Sequence, residues 1–371
     1  MLPHTPEVAG LPDAARDLLL RWYRRRRRAL PCRESADPYR VWVSEIMLQQ
    51  TQVETVVPYF LRFLARVPDL AALAGAPTGD VLKAWEGLGY YSRARNLQRA
   101  ASLVLTRHQG LVPRTVEALR ELPGIGPYTA AAIASICFGV REPVVDGNVL
   151  RVFTRFWAMD EDVRSPAVRG AIEARLRRAM RRVRPADFNQ AIMELGALVC
   201  RPRSPSCGRC ALRHACAARA AGTVDQYPVS RAARAVRRRH MAVGWVESGG
   251  RTLAVRRAEG QMLGGLWMFP SVDVSGLPAG DVRSALRAAI LDQTGCRVRV
   301  GLRLGSVSHA YSHFTLQADI YACRAEASGA GDPRRDDVRW VSRAERARLP
   351  CSVLERKIAA LCTPRDAGQL R

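Results

Sequence analysis

The segment Leu122-Pro-Gly-Ile-Gly-Pro-Tyr-Thr-Ala130 constrains the fold more tightly than any other stretch of the chain. Two prolines and two glycines within five residues interrupt any regular element there, and an alanine-rich helical run from Thr129 to Phe138 follows at once. Gly124 and Gly126 allow positive φ and leave backbone N–H groups uncovered at a helix start, where the dipole favours an anion such as a phosphate. A helix–turn–helix connection used only for packing has the same glycine spacing, so both readings stand at this point. Downstream, Val145-Asp146-Gly147-Asn148 puts a carboxylate at what reads as the next helix start.

The texture on either side of this hairpin is helical. Residues 13 to about 220 alternate amphipathic runs with short Pro/Gly breaks, among them Val41 to Phe63 and Val81 to Arg107, the latter interrupted at Gly87 and Gly89. Strand-like alternation begins only after His240, in Met241–Val246, Thr252–Arg256, Val298–Leu304, Thr315–Tyr321 and Val338–Val341, with one amphipathic helix at Val282–Gln293. The stretch 219–238, rich in alanine, arginine and small polar residues, reads as a linker. The chain therefore divides into an all-α domain over 1–218, an α+β domain over 239–365 and a tail at 366–371.

Charge narrows the class of partner. The formal net charge of +24 is carried almost wholly by arginine, the only lysines being Lys83 and Lys357, and such a balance points to a polyanion. No run of about eighteen apolar residues and no basic-then-apolar leader is present, which predicts a soluble, cytoplasmic protein without a membrane partner. Ten cysteines in such a compartment are not a disulfide framework.

Four of those cysteines stand apart. Cys200-x6-Cys207-x2-Cys210-x5-Cys216 gathers soft ligands in one loop bent by Pro202, Pro205 and Gly208, a pattern shared by all-cysteine zinc sites and 4Fe–4S clusters. Either group would be structural, since four protein ligands leave no position for substrate. Two carboxylates stand out by context. Glu45 lies in the mostly apolar Val41–Leu48, where burial would raise its pKa towards that of a proton donor working near neutrality, although a place on the polar side of the helix fits the local sequence equally. Asp146 reads as an N-cap or as a carboxylate aimed at a reacting centre. A pair of acids is what cleavage of a glycosidic bond through an oxocarbenium-like state needs, one at the leaving group and one at the sugar.

The hairpin with its downstream aspartate resembles the helix-hairpin-helix DNA glycosylase superfamily, and the cysteine spacing is similar to that of its iron–sulfur members. Val43-Ser-Glu-Ile-Met-Leu-Gln-Gln-Thr51, Trp85-Glu-Gly-Leu-Gly-Tyr-Tyr-Ser-Arg93 and Met193-Glu-Leu-Gly-Ala-Leu-Val-Cys200 are similar to its adenine-excising branch, and the likeness continues into a C-terminal half like that branch's Nudix-related domain. The resemblance implies an enzyme of base excision repair that removes adenine paired with 8-oxoguanine or guanine in duplex DNA. It further implies one 4Fe–4S cluster on Cys200, Cys207, Cys210 and Cys216, no nucleotide cofactor, and a monomer. By the same resemblance Glu45 would protonate the departing adenine and Asp146 would stabilise or capture the sugar cation, with Tyr128 and Asn148 holding that site. Gln50 and Tyr90 would wedge into the duplex with Thr51 and Leu88 nearby. Arg28, Arg33 and Glu194 would line the adenine pocket, and Gly124 and Gly126 would grip phosphate.

Tyr128 stands where strand-cutting relatives carry a lysine, and a phenol cannot form the imine that such cleavage requires, so hydrolysis ending at an abasic site is expected. The C-terminal helix aligned on Gly295, Ala288-Ala-Ile-Leu-Asp-Gln-Thr-Gly295, keeps only Asp292 of a glutamate-rich magnesium box, which predicts a domain that reads rather than cuts. The resemblance gives the reading of 8-oxoguanine to Tyr311-Ser312-His313, with Ser312 central. On motif grounds alone His309 and His313 fit a metal pair or a packing feature. The sequence departs from the family at Cys32, where a tryptophan is usual in Leu-Pro-Trp-Arg, and at Tyr311, where phenylalanine is usual.

Overall fold

The computed structural model describes residues 10–230, 237–311, 313–326 and 335–363. Two compact units emerge, Met1–Ala74 with Arg99–Ala233, and Gly75–Gln98 with Arg234–Arg371. The division is not collinear with the sequence, because a helical segment from the first half is grouped with the C-terminal half. Helices run in chain order as α1 (Asp13–Arg26), α2 (Pro38–Leu48), α3 (Val53–Arg66), α4 (Leu70–Gly75), α5 (Thr78–Ala84), α6 (Ser92–Arg107), α7 (Val116–Arg120), α8 (Pro127–Phe138), α9 (Gly147–Phe156), α10 (Pro166–Ala179), α11 (Pro185–Leu198) and α12 (Ala217–Ala220). Among the described residues before Arg237 there is no strand.

The core of the first unit is built from apolar stripes. On α9, Val149, Val152, Phe153 and Phe156 recur at helical spacing and pack with Leu19 of α1, Ile172 of α10, and Phe188 and Ile192 of α11. The run Thr129–Ser135 of α8 is buried throughout, as expected of a helix that is apolar all round, and its alanines admit α2, α7 and α11 at close range. The extended segment between α8 and α9 is pinned by Asn189 of α11, whose Oδ1 accepts from Val144 N at 3.0 Å while Nδ2 donates to Ser135 Oγ and Glu142 O, both at 2.9 Å. That fixes the approach to Asp146.

The run Val41 to Phe63, read as one helical stretch, is broken into α2 and α3. The break falls at Gln49–Gln52, where Gln50 takes φ +56° without any glycine or proline to announce it. Residues 219–230 have the composition of a linker but pack as part of the first unit. The Tyr227 hydroxyl donates to Asp160 Oδ1 at 2.7 Å, and its carbonyl accepts from the buried Arg155 Nε at 3.0 Å.

The second unit carries a seven-stranded mixed sheet, β1 (Arg237–Ser248), β2 (Arg251–Arg256), β3 (Trp267–Met268), β4 (Ser271–Asp273), β5 (Val298–Ala310), β6 (Phe314–Ala325) and β7 (Val338–Val341). Its order is β3-β2-β1-β6-β5, with β4 beside β1 and β7 beside β2, and only β1 and β6 run parallel. Alternation along β1 sorts two cores. Ala242 and Val246 face α13 (Val282–Thr294), while Val243 and Trp245 face Leu354 and Ile358 of α15 (Val353–Cys362). Between them lies the short α14 (Arg343–Arg348). A Cβ on Gly244 would fall 2.6 Å from Ile290 Cδ1, so the Ile290 side chain of α13 packs directly over this glycine of the sheet. The strands and the helix read from sequence after His240 are present; β3, β4, α14 and α15 lack a pattern long enough to announce themselves.

Candidate active site

Glu45 is buried on α2, 7 % exposed, and its Oε2 accepts from the Tyr128 hydroxyl at 2.9 Å. The polar-face alternative is thereby excluded. Burial pushes the Glu45 carboxyl up, the Tyr128 hydrogen bond and the Arg33 charge oppose that, and the charge of Asp146 adds to it. Burial and the neighbouring Glu45 likewise hold the Tyr128 phenol well above its ordinary range. Tyr128 also touches Met193 Sδ at 3.6 Å. Glu45, Tyr128, Arg33, Cys32 and Met193 line a cavity of about 250 Å³, roomy enough for a purine base.

Asp146 caps α9, Oδ1 accepting from Val149 N at 2.8 Å, so the N-cap reading is correct as far as it goes. Its second oxygen accepts from Asn148 Nδ2 at 2.9 Å. Asn148 in turn is held by Arg151, whose Nη2 donates to Asn148 Oδ1 and to Gly196 O, both at 2.8 Å. A Cβ on Gly196 would stand 2.7 Å from Asn148 Cβ, so α11 closes on α9 behind this asparagine. Capping and chemistry are compatible here, because the cap fixes the carboxylate in place.

Arg28, Arg33 and Glu194 form one ionic cluster. Glu194 Oε1 accepts from Arg28 N at 3.0 Å and Nε at 2.8 Å, and Oε2 accepts from Arg28 Nη2 at 3.0 Å and Arg33 Nη1 at 2.7 Å. Burial alone would raise the Glu194 carboxyl; the hydrogen bonds from Arg28 and the charge of Arg33 override it and hold the group at about 2. Of the three, only Arg33 lines the cavity with Glu45, while Arg28 also reaches Glu54 at 3.1 Å. The expectation that all three line the pocket is corrected: Glu194 spends both oxygens on the arginines and orients Arg33 from behind.

In the hairpin, Gly124 has φ +81° but Gly126 has φ −86°, contrary to the expected pair of positive angles. Gly126 is the N-cap of α8 and precedes Pro127, which restricts it to extended backbone. An added Cβ there meets nothing within 4 Å, leaving the helix start open to an incoming group. Gln50 is exposed with φ +56°, Thr51 is half-buried, and Tyr90, 36 % exposed, has φ +47°. Leu88 is buried, 6 % exposed. Left-handed conformers at a glutamine and a tyrosine are uncommon and mark both loops as held in shape by their surroundings.

All four loop cysteines line one small cavity, about 30 Å³. Burial pushes the Cys210 thiol up to about 12, and the charges of Cys200, Cys216 and Cys207 add to that rise. Among the described residues no group of three or more His, Cys, Asp or Glu is arranged to hold a metal ion as it stands. The donor set nonetheless fits a soft-metal group, since mutual repulsion among thiolates is what bound iron or zinc relieves. Sequence reasoning missed Arg151 and Arg155, which tie this loop to the Asp146 helix. Arg151 Nε donates to Cys200 O at 2.7 Å, and Arg155 Nη1 reaches Cys200 Sγ at 3.4 Å and Arg201 O at 2.8 Å. The available signal was two arginines four apart on the apolar face of α9.

In the second unit the Tyr311 ring stacks on Phe314 at 4.8 Å and meets His309 edge-on at 4.6 Å, closing the β5–β6 hairpin. His309 is therefore a packing residue. His313 is exposed, and Ser312 lies outside the described residues. On α13, Asp292 is the only carboxylate.

Residues 43–187 match the HhH-GPD superfamily of base excision DNA repair proteins, and residues 242–361 match the NUDIX domain. Adenine DNA glycosylase of Rattus norvegicus is 35% identical over 93% of this chain and 77% of its own length, and that of Homo sapiens is 36% identical over 90% and 71%. Adenine DNA glycosylase of Mycobacterium tuberculosis is 41% identical over 62% of this chain and 75% of its own. A solved thermostable thymine-DNA glycosylase superposes with a TM-score of 0.52 at 27% identity, covering 56% of this chain and 95% of that one.

Proposed function

Because the chain belongs to the adenine DNA glycosylase family of base excision repair enzymes, we propose that its substrate is adenine opposite 8-oxoguanine or guanine in duplex DNA, released by hydrolysis alone. The observation that carries the reading is a buried carboxyl, Glu45, raised by its surroundings and hydrogen-bonded to Tyr128 in a base-sized cavity. In the protonated form Glu45 donates its proton to N7 of a flipped-out adenine. The C1′–N9 bond breaks, its electrons leave with the neutral base, and the sugar becomes an oxocarbenium ion. The Asp146 carboxylate, fixed by Val149 N and Asn148, faces that positive charge and stabilises or captures it. Water adds at C1′ and loses a proton, leaving an abasic site.

The remaining residues supply position. The open start of α8 at Gly124–Gly126 suits a backbone phosphate, and Gln50, Thr51, Leu88 and Tyr90 belong to the loops that would part the duplex. Cys200, Cys207, Cys210 and Cys216 would hold a 4Fe–4S cluster with a structural duty. The second unit, with one acid in its helix α13, would recognise the opposite base through Tyr311-Ser312-His313.

Single-turnover base release on duplexes with adenine opposite 8-oxoguanine, guanine, cytosine and thymine tests the reading. Release is expected with the first two, and Glu45→Gln should abolish it with duplex binding kept, a loss of roughly a thousandfold or more for removal of a general acid. Unchanged release by that variant overturns the proton donor. Ser312→Ala should narrow the preference for 8-oxoguanine over guanine, and an equal preference before and after removes Ser312 from the reading role.

A further inference from the structure

The loop 87–91 between α5 and α6, which carries Leu88 and Tyr90, is braced within the second unit. Its backbone is unusual, with φ +96° at Gly87, +78° at Gly89 and +47° at Tyr90. On its inner side Trp85 Nε1 donates to Gly89 O at 3.2 Å, and Arg93 Nη2 donates to Leu88 O at 3.3 Å and Gly89 O at 3.1 Å. Further anchors come from the C-terminal segment 347–351. Gly87 N donates to the Tyr91 hydroxyl, which donates onward to Cys351 O, both at 3.1 Å. Glu86 Oε1 accepts from Cys351 N at 3.2 Å and from Cys351 Sγ at 3.0 Å. Glu86 Oε2 accepts from Lys83 Nζ at 2.7 Å, and that ammonium donates also to Ala347 O at 2.7 Å and Leu349 O at 3.1 Å, using all three of its hydrogens.

The anchoring segment is itself fixed to the Nudix-like fold. Trp267 N of β3 donates to Pro350 O at 2.9 Å, and Trp267 and Cys351 form a parallel bridge. Two residues on, α15 begins, and its Leu354 and Ile358 share a core with Leu316, Ile320 and the rings of Tyr311 and Phe314 at the β5–β6 hairpin. A continuous set of packed and hydrogen-bonded residues thus joins that hairpin to the loop bearing Tyr90.

We infer that Glu86 and Tyr91 are positioning residues through which segment 347–351 of the Nudix-like unit holds the loop of Leu88 and Tyr90 in its duplex-inserting shape. The inference rests on the wedge reading of Tyr90. It gives the C-terminal unit a part in base extrusion besides any contact with the opposite base.

The full chain tests it on a duplex carrying adenine opposite 8-oxoguanine, with 2-aminopurine beside the target adenine to report unstacking. Tyr91→Phe keeps the ring and removes the hydroxyl; Glu86→Ala removes the second anchor, so two independent variants are read. Each should lower the fluorescence rise and slow adenine release roughly five- to tenfold, the effect of losing one or two buried hydrogen bonds. Affinity for an undamaged duplex and the melting temperature should stay close to those of the parent chain, which general unfolding would not allow. Tyr90→Ala is run alongside. If it loses the signal while Tyr91→Phe and Glu86→Ala keep full signal and rate, the bracing is overturned and the wedge stands. If Tyr90→Ala keeps the signal, the wedge reading falls and the inference falls with it.

Discussion

Tyr128 gives its hydroxyl hydrogen to Glu45 Oε2 at 2.9 Å, and this contact opposes the effect of burial on the same carboxyl. Burial favours the protonated acid, and the phenol favours the carboxylate. A general acid works only while protonated, so base release should decline as pH rises through the raised pKa of Glu45. Tyr128→Phe removes the interaction that lowers that pKa, and the declining limb of the single-turnover pH–rate profile should move to higher pH. A limb that stays in place or moves down would show that Glu45 is not the titrating donor.

In the proposed mechanism the same phenol bears on the outcome of the reaction. An imine with the sugar needs an amine, and α8 offers a tyrosine at the place beside Glu45. Lys83, one of two lysines in the chain, is engaged with Glu86 and two backbone carbonyls. Borohydride added during turnover should therefore trap no covalent protein–DNA adduct, and product strands should break only after alkali or heat. A trapped adduct would require a nucleophilic amine that the mechanism lacks.

Much of this site was legible because its chemistry needs particular residue types at particular spacings. The hairpin Leu122–Ala130, the cap at Asp146 and the cysteine quartet are local motifs, and local sequence specifies them. Glu45 was ambiguous by its own helix, and its burial is set by tertiary neighbours such as Tyr128 of α8, far away in sequence. Arg151, Arg155 and Gly196 escaped notice for the same reason, since their roles lie in contacts between α9, α11 and the cysteine loop. The break at Gln50 escaped because a positive φ at glutamine carries no sequence mark. The grouping of residues 75–98 with the C-terminal half depends on Glu86, Tyr91 and Lys83 meeting residues some 260 positions away, which no local pattern encodes.

Glu194 should be a pH-dependent source of stability. Its folded carboxyl is held at about 2, below the ordinary 4.5, so its contribution is complete above the ordinary value and is lost as pH falls from there towards 2. Glu194→Gln leaves Arg28 and Arg33 without their shared anion, and with both guanidiniums partly exposed the cost is about 2 kcal/mol at neutral pH. The gap in melting temperature between the two proteins should narrow below pH 4.5. A gap independent of pH would mean that packing, not charge, sets the loss.

Gly196→Ala probes the support behind Asn148. The new methyl would lie 2.7 Å from Asn148 Cβ and 3.2 Å from its carbonyl oxygen, so α9 and α11 must part or the asparagine must shift. Either movement disturbs the hydrogen bond from Asn148 to Asp146. Overpacking of this kind costs about 1–3 kcal/mol. Base release should slow more than duplex binding weakens, and thermal melting reports the stability loss. A variant with parental release and melting would show that the helix crossing is softer than the contact implies.

The cysteine loop makes the last prediction, because its hydrogen bonds tie it to α9, the helix that Asp146 caps. Arg151 bonds the Cys200 carbonyl with one nitrogen and Asn148 with another, and Arg155 holds the Cys200 sulfur and the Arg201 carbonyl. The purified chain should be brown, with broad visible absorption and about four irons. A colourless protein with stoichiometric zinc would overturn the cluster while leaving the loop structural. Cys210→Ser should lower iron content and melting temperature together. Arg151→Met should keep the iron yet slow base release, since it cuts the link to Asn148 and spares the sulfurs. If Arg151→Met releases adenine at the parental rate, the loop stabilises the fold without positioning Asp146.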